Sequence, residues 1–229
     1  GKSPLKRLHA KHMKEYADFK RIPVQTYEEI KEYVDRMRHG EKDILWPGQV
    51  SWYAKSSGTT NDKSKFIPVS KEGLQKVHYA GGRDSVALYL QNNPDSRLFS
   101  GKALILGGSH APNYNLKHSL VGDLSAILIE NINPVVNLIR VPKKEIALLS
   151  DFEEKMEKIA RIAMNQDITN ISGVPSWMLA VIKRVMELKG TDNLAEVWPN
   201  LEIFFHGGVA FTPYREQYQQ IIRSSNMHY

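Results

Sequence analysis

From Tyr53 onward, short apolar runs alternate with amphipathic stretches of ten or more residues. A run of three to seven apolar residues bounded by glycine, proline or polar turns has the length of a strand. Apolar positions three and four apart over ten or more residues make a helix. This alternation is the pattern of helices covering a parallel or mixed sheet, so the chain is expected to be α/β, with layered sheets flanked by helices. Strands are expected over residues 52–54, 66–69, 102–106, 135–141, 168–171 and 201–205, and residues 226–229 read as the start of another.

The helices carry their own start and stop signals. Thr26 and Glu29 form a capping box ahead of Ile30, Val34 and Met37, and Gly40 stops that helix. Ser70 can cap a second, with Leu74, Val77, Val86, Leu88 and Leu90 as its apolar positions and Gly81-Gly82 weakening its middle. Ser150 and Glu153 read as another capping box, before a stripe of Phe152, Met156, Ile159, Ala160 and Ala163 with the charges on the outer face. Trp177, Met178, Val181, Ile182, Val185 and Met186 line a helix ended by Gly190, and Thr212-Pro213 opens the last one.

Composition narrows the chemistry. The 229 residues suffice for one large domain or two small ones. Without cysteine there is no disulfide, zinc-thiolate site or thiol nucleophile. No apolar run approaches a bilayer span, and the first residues lack the apolar core of a signal peptide, which points to a cytoplasmic protein with no membrane partner. The net charge of +6 comes with basic residues densest from Lys2 to Lys20, a solvated basic helix more than a nucleic-acid surface. His9 and His12 lie one turn apart there, among lysines that repel a metal ion.

The stretch Ser56-Ser57-Gly58-Thr59-Thr60-Asn61-Asp62-Lys63-Ser64-Lys65 joins two of the expected strands. Glycine and hydroxyl residues let backbone N–H groups converge, and lysine adds charge, which suits a polyphosphate. An ordinary polar turn has the same composition. It is not a Walker A loop, because Asp62 stands where that motif needs glycine before Lys63-Ser64. No dinucleotide, nucleophile-elbow or zinc-protease string occurs. His110 and His206 each follow an expected strand beside glycines, where they could meet a ligand or be satisfied by the backbone. Trp177 and Met178 fit either core or pocket.

Taken in order, these motifs resemble one family. Ser56 to Pro68 resembles the signature loop of the adenylate-forming superfamily. The lysine at position 65, followed by Phe66-Ile67-Pro68, matches the spacing of its auxin- and jasmonate-amido synthetases. Trp198-Pro199-Asn200, running into His206-Gly207-Gly208-Val209, resembles that family's nucleotide-contacting turn. Asn61-Asp62 and Gly207-Gly208 depart from the plant pattern and resemble a bacterial-type member.

The resemblance implies a fold, a reaction and a set of sites. Residues 1–229 would be part of an N-terminal adenylation domain, with a Mg²⁺ ligand and a mobile C-terminal domain expected beyond Tyr229 and no metal ligand within the chain. The reaction would be ATP-dependent activation of a small carboxylic acid as an acyl-adenylate, followed by amide formation with an amino acid. Catalytic roles fall on Lys65 and Thr59. Nucleotide contacts fall on Ser56, Ser57, Gly58, Thr59, Thr60, Lys65, Gly207, Gly208 and Val209. The acid and amine pocket falls on Gly122, Asp123, Leu124, Ser125, Trp177, Met178 and His206. Two alternatives stand beside it: a non-catalytic nucleotide or small-molecule binding module, and a basic nucleic-acid-binding protein.

Overall fold

The computed structural model describes residues 15, 17, 20, 23–56 and 64–229. The chain forms two compact units, Gly1–Tyr79 with Ala111–Leu124 and Ala80–His110 with Ser125–Tyr229. Helix α1 (Tyr27–Arg38) starts where the capping box predicts. The Glu29 carboxylate accepts the Thr26 amide at 2.6 Å and the Thr26 hydroxyl at 2.9 Å. Strands β1 (Trp52–Lys55) and β2 (Phe66–Val69) form an antiparallel hairpin, with Trp52 opposite Val69 and Lys55 opposite Phe66.

Ser70 caps a helical turn at Lys71–Gly73 by accepting the Gly73 amide at 3.0 Å. The helix widens to π geometry over Leu74–Tyr79 before α2 (Ala80–Asn92). Of its expected apolar stripe, Leu74 is buried, whereas Val77 and Leu88 are 64% and 59% exposed. The Gly81-Gly82 pair supplies no side chain to continue a buried face.

Strands β3 (Lys102–Ile105), β4 (His110–Pro112) and β5 (Leu120–Gly122) follow, then α3 (Leu124–Glu130). Residues 135–141, expected as one strand, instead make a helical turn, α4 (Val136–Ile139), and a two-residue strand, β6 (Arg140–Val141). Local turn chemistry prevails over β-branched propensity here. The Asn133 side chain accepts the Val135 amide and its carbonyl accepts the Val136 amide, both at 2.9 Å. Val135 and Leu138 consequently stay exposed, without a neighbouring strand.

After α5 (Lys144–Ala147), helix α6 (Phe152–Ala163) is capped by Asp151, one residue later than expected. The Asp151 carboxylate accepts the Glu154 amide at 2.7 Å. Strand β7 (Ile168–Gly173), helices α7 (Pro175–Lys189) and α8 (Leu194–Val197), strand β8 (Ile203–His206) and helix α9 (Thr212–Ile221) complete the chain. Phe211 rather than Thr212 is the cap of α9. His228 adds one parallel bridge to Ile203.

The two sheets differ in kind. The first has the order β2-β1-β5-β4 and is mixed, because β1 runs antiparallel to β2 and parallel to β5. The second has the order β6-β3-β7-β8 and is parallel throughout. Leu104 and Ile171 from its central strands and Phe204 from β8 are buried against Ile159 and Ala163 of α6 and Met178, Val181, Ile182 and Val185 of α7. Each large apolar side chain taken out of water there contributes about 1.5–3 kcal/mol. Trp198 joins this core and donates its indole N–H to the Ala163 carbonyl at 3.0 Å. A smaller core of Met37, Val50 and Tyr53 serves the first unit. Among the described residues no helix is long and apolar enough to cross a membrane.

Candidate functional site

In the first unit the glycine- and hydroxyl-rich stretch is the loop of the β1–β2 hairpin. Ser57, Gly58, Thr59 and Thr60 lie outside the described residues, and the residues that close the loop lie within them. The Ser56 amide donates to the Lys65 carbonyl at 2.9 Å, and the Lys65 amide donates to the Ser56 hydroxyl at 3.0 Å. The Tyr27 hydroxyl accepts the next amide, that of Phe66, at 2.9 Å. Lys65 is half-buried, with its ammonium 5.7 Å from the Tyr27 ring centroid, within cation–π range. Strand β5 runs parallel to β1 and pairs Gly122 with Ala54, which brings Gly122, Asp123 and Leu124 beside the base of the loop. Leu124 also lines a cleft of about 460 Å³, together with Ala54, Ile67, Val69, Ser70 and His78. Its size and largely apolar lining suit a small organic molecule.

The remaining candidates lie in the second unit, around the carboxyl ends of the parallel strands. The chain leaves β3 to re-enter the sheet at β6 on one side, and leaves β7 to re-enter at β8 on the other. That reversal makes the carboxyl ends of β3 and β7 a topological switch point, where open α/β sheets leave a crevice for ligands. Glycines gather there. Gly107 and Gly108 follow β3, Gly173 ends β7, and Gly207 and Gly208 follow β8. Gly208 has φ +85°, a conformation that disfavours side chains, and a Cβ on it would stand 3.1 Å from Val174 Cγ2. A Cβ on Gly207 would meet nothing within 4 Å, so that turn presents open backbone, and Val209 beside it is exposed.

His206 stacks on Phe211 with ring centroids 4.2 Å apart. Partial burial, with the Arg215 charge adding to it, holds the His206 pKa below the ordinary imidazole value. The ring is therefore neutral near pH 7. Trp177, in the first turn of α7, meets Phe152 edge-on at 5.8 Å and is partly buried. Met178 has 0% exposure and packs wholly within the core, so it has no free surface to offer a ligand. Ser125 accepts the Gly108 amide at 3.0 Å. His110 is held by a side chain: its Nε2 lies 3.3 Å from Glu130, whose other oxygen meets Lys144 at 2.6 Å.

Lys155 was expected among the outward charges of α6. It is 4% exposed, and its ammonium donates to the carbonyls of Gly108 at 2.9 Å and Gly107 at 3.2 Å. The helical period held the signal: Lys155 stands one turn before the buried Ile159 and one turn after Phe152, at the edge of the apolar stripe. Among the described residues there is no group of three or more His, Cys, Asp or Glu side chains that could hold a metal ion.

A family model described as the GH3 family N-terminal domain matches residues 4–227. An indole-3-acetic acid-amido synthetase of Arabidopsis thaliana, GH3.15, is 40% identical over 58 residues, 25% of this chain and 10% of that protein. Among solved structures, the GH3.15 acyl acid amido synthetase in complex with 2,4-DB superposes with a TM-score of 0.75 at 17% identity. The match covers 98% of this chain and 48% of that one. A second structure of a GH3.15 acyl acid amido synthetase gives a TM-score of 0.69 at 18% identity, covering 96% and 49%. At those identities the likeness is one of fold, and the chain spans about half the length of the solved relatives.

Proposed function

Because this chain belongs to the GH3 family, as its N-terminal domain, we propose that the protein carrying it is a ligase that joins a small carboxylic acid to an amino acid through an acyl-adenylate formed from ATP. On this reading residues 1–229 are part of the adenylation domain of a cytoplasmic enzyme. The observation that carries the proposal is the closed base of the 56–65 loop, which fixes Lys65 beside the carboxyl ends of β1 and β5.

The chemistry needs charge control more than proton transfer. The attacking carboxylate is already ionised at neutral pH, so no general base is required for the first step. Negative charge develops on the pyrophosphate as it leaves, and donors aimed at it lower the barrier. In this reading the Lys65 ammonium, the hydroxyls of Ser56, Ser57, Thr59 and Thr60 and the backbone around Gly58 supply those donors. Gly207, Gly208 and Val209 take the adenine against open backbone. Gly122, Asp123 and Leu124 in the first unit, and Ser125, Trp177 and His206 in the second, are assigned to the acid and amine, whereas Met178 serves the core. Mg²⁺ would be held by groups outside the described residues.

Carboxylate-dependent exchange of labelled pyrophosphate into ATP by the full-length protein, over a panel of apolar acids, tests the proposal. Exchange with at least one acid is expected. Lys65→Ala is expected to slow it roughly 30- to 1,000-fold, the equivalent of about 2–4 kcal/mol for one lost donor. No exchange with any acid, or an undiminished rate in Lys65→Ala, overturns the reading.

A further inference from the structure

The loop that follows β3 is fastened from two sides. From below, Lys155 of α6 reaches through the core with 4% of its surface exposed and donates to two successive carbonyls, Gly107 at 3.2 Å and Gly108 at 2.9 Å. From the side, the Ser125 hydroxyl accepts the Gly108 amide at 3.0 Å. A Cβ on Gly107 would come within 2.5 Å of Ile129 Cδ1 and 3.4 Å of the Ser125 backbone, so the loop lies directly against α3. A buried ammonium is costly unless its hydrogen bonds are made, and core positions on a helix rarely carry one. Its placement at the switch-point end of a parallel sheet, beneath a glycine loop, is therefore informative.

We propose that Lys155 is a positioning residue that sets the Gly107–Gly108 backbone, and through it Ser125, as one wall of the carboxylic-acid site. This rests on the reading of the protein as an acid-activating ligase. Pulling two adjacent carbonyls onto one ammonium fixes the peptide planes on either side of Gly108, and the Gly108 amide is thereby turned towards Ser125. Removing the ammonium leaves both carbonyls without a charged partner in a dry setting, and the loop is then free to take other glycine conformations. The effect is assigned to the acid through Ser125, which accepts the Gly108 amide.

The experiment compares wild type, Lys155→Met and Lys155→Arg in the full-length protein. Amide hydrogen exchange over residues 106–110 is expected to quicken at least tenfold in Lys155→Met, with α7 and β7 unchanged. In the pyrophosphate-exchange assay the KM for the acid is expected to rise at least fivefold while the KM for ATP stays within twofold, and Lys155→Arg is expected to recover the acid KM to within threefold. Exchange that quickens equally across the whole unit, an unmoved loop, or an unchanged acid KM overturns the proposal. Should Lys155→Met fail to fold, Lys155→Gln carries the same comparisons. The hydrogen-exchange arm needs no turnover, so a wild type without ligase activity overturns the proposed reaction while the clamp on the loop is still tested.

Discussion

His206 shows how a single side chain can couple a site to pH. Partial desolvation of its exposed ring, with Arg215 nearby, lowers its pKa in the folded protein. The unfolded chain therefore takes up the proton first as pH falls, and stability declines through the ordinary imidazole range and levels off below the folded value. Wild type is expected to lose stability to urea between about pH 8 and pH 5 more steeply than His206→Gln. The ring is largely open to solvent, which keeps the difference small, and superimposable pH profiles would refute it. At this scale the residues proposed for the chemistry, Ser56, Lys65, Gly207 and Gly208, are ones that residue type and motif single out. Lys155 and Arg140 were not legible. Arg140 is 3% exposed, its two terminal guanidinium nitrogens find no partner among the described residues, and burial lowers its pKa. A charged residue reads as surface until neighbours distant in sequence enclose it.

Helix α6 illustrates what local signals can and cannot resolve. The capping residues announced its start, but Ser150 and Asp151 are both good caps, and only the hydrogen bond from the Glu154 amide identifies Asp151. Asp151→Ala is expected to cost about 1 kcal/mol in chemical denaturation, whereas Ser150→Ala should stay within about 0.5 kcal/mol of wild type. Equal losses would return the cap to Ser150. The β1–β2 hairpin and α7 were readable because composition and period agree there. Residues 135–141 were not, because β-branched residues carry a strand-like pattern while Asn133 and Pro134 begin a turn that the pattern does not weigh.

At the scale of the molecule, the chain spans about half the length of the solved relatives it matches. If the proposed reaction is right, the 229-residue chain alone is expected to show little or no acid-dependent pyrophosphate exchange where the full-length protein shows it, and comparable rates from both would refute that division of labour. The sequence by itself determined the α/β class, most helix starts and stops, the hairpin around the 56–65 loop and the family, because caps, periods and motif order are properties of neighbouring residues. Only the tertiary structure decided that the described residues form two sheets, one mixed and one wholly parallel, and which strands adjoin. Strand order follows from pairing between residues far apart in sequence, such as Trp52 with Leu120, and no local pattern encodes it. The same long-range packing gathers three glycine turns at one end of the parallel sheet and draws Lys155 inward beneath the first of them.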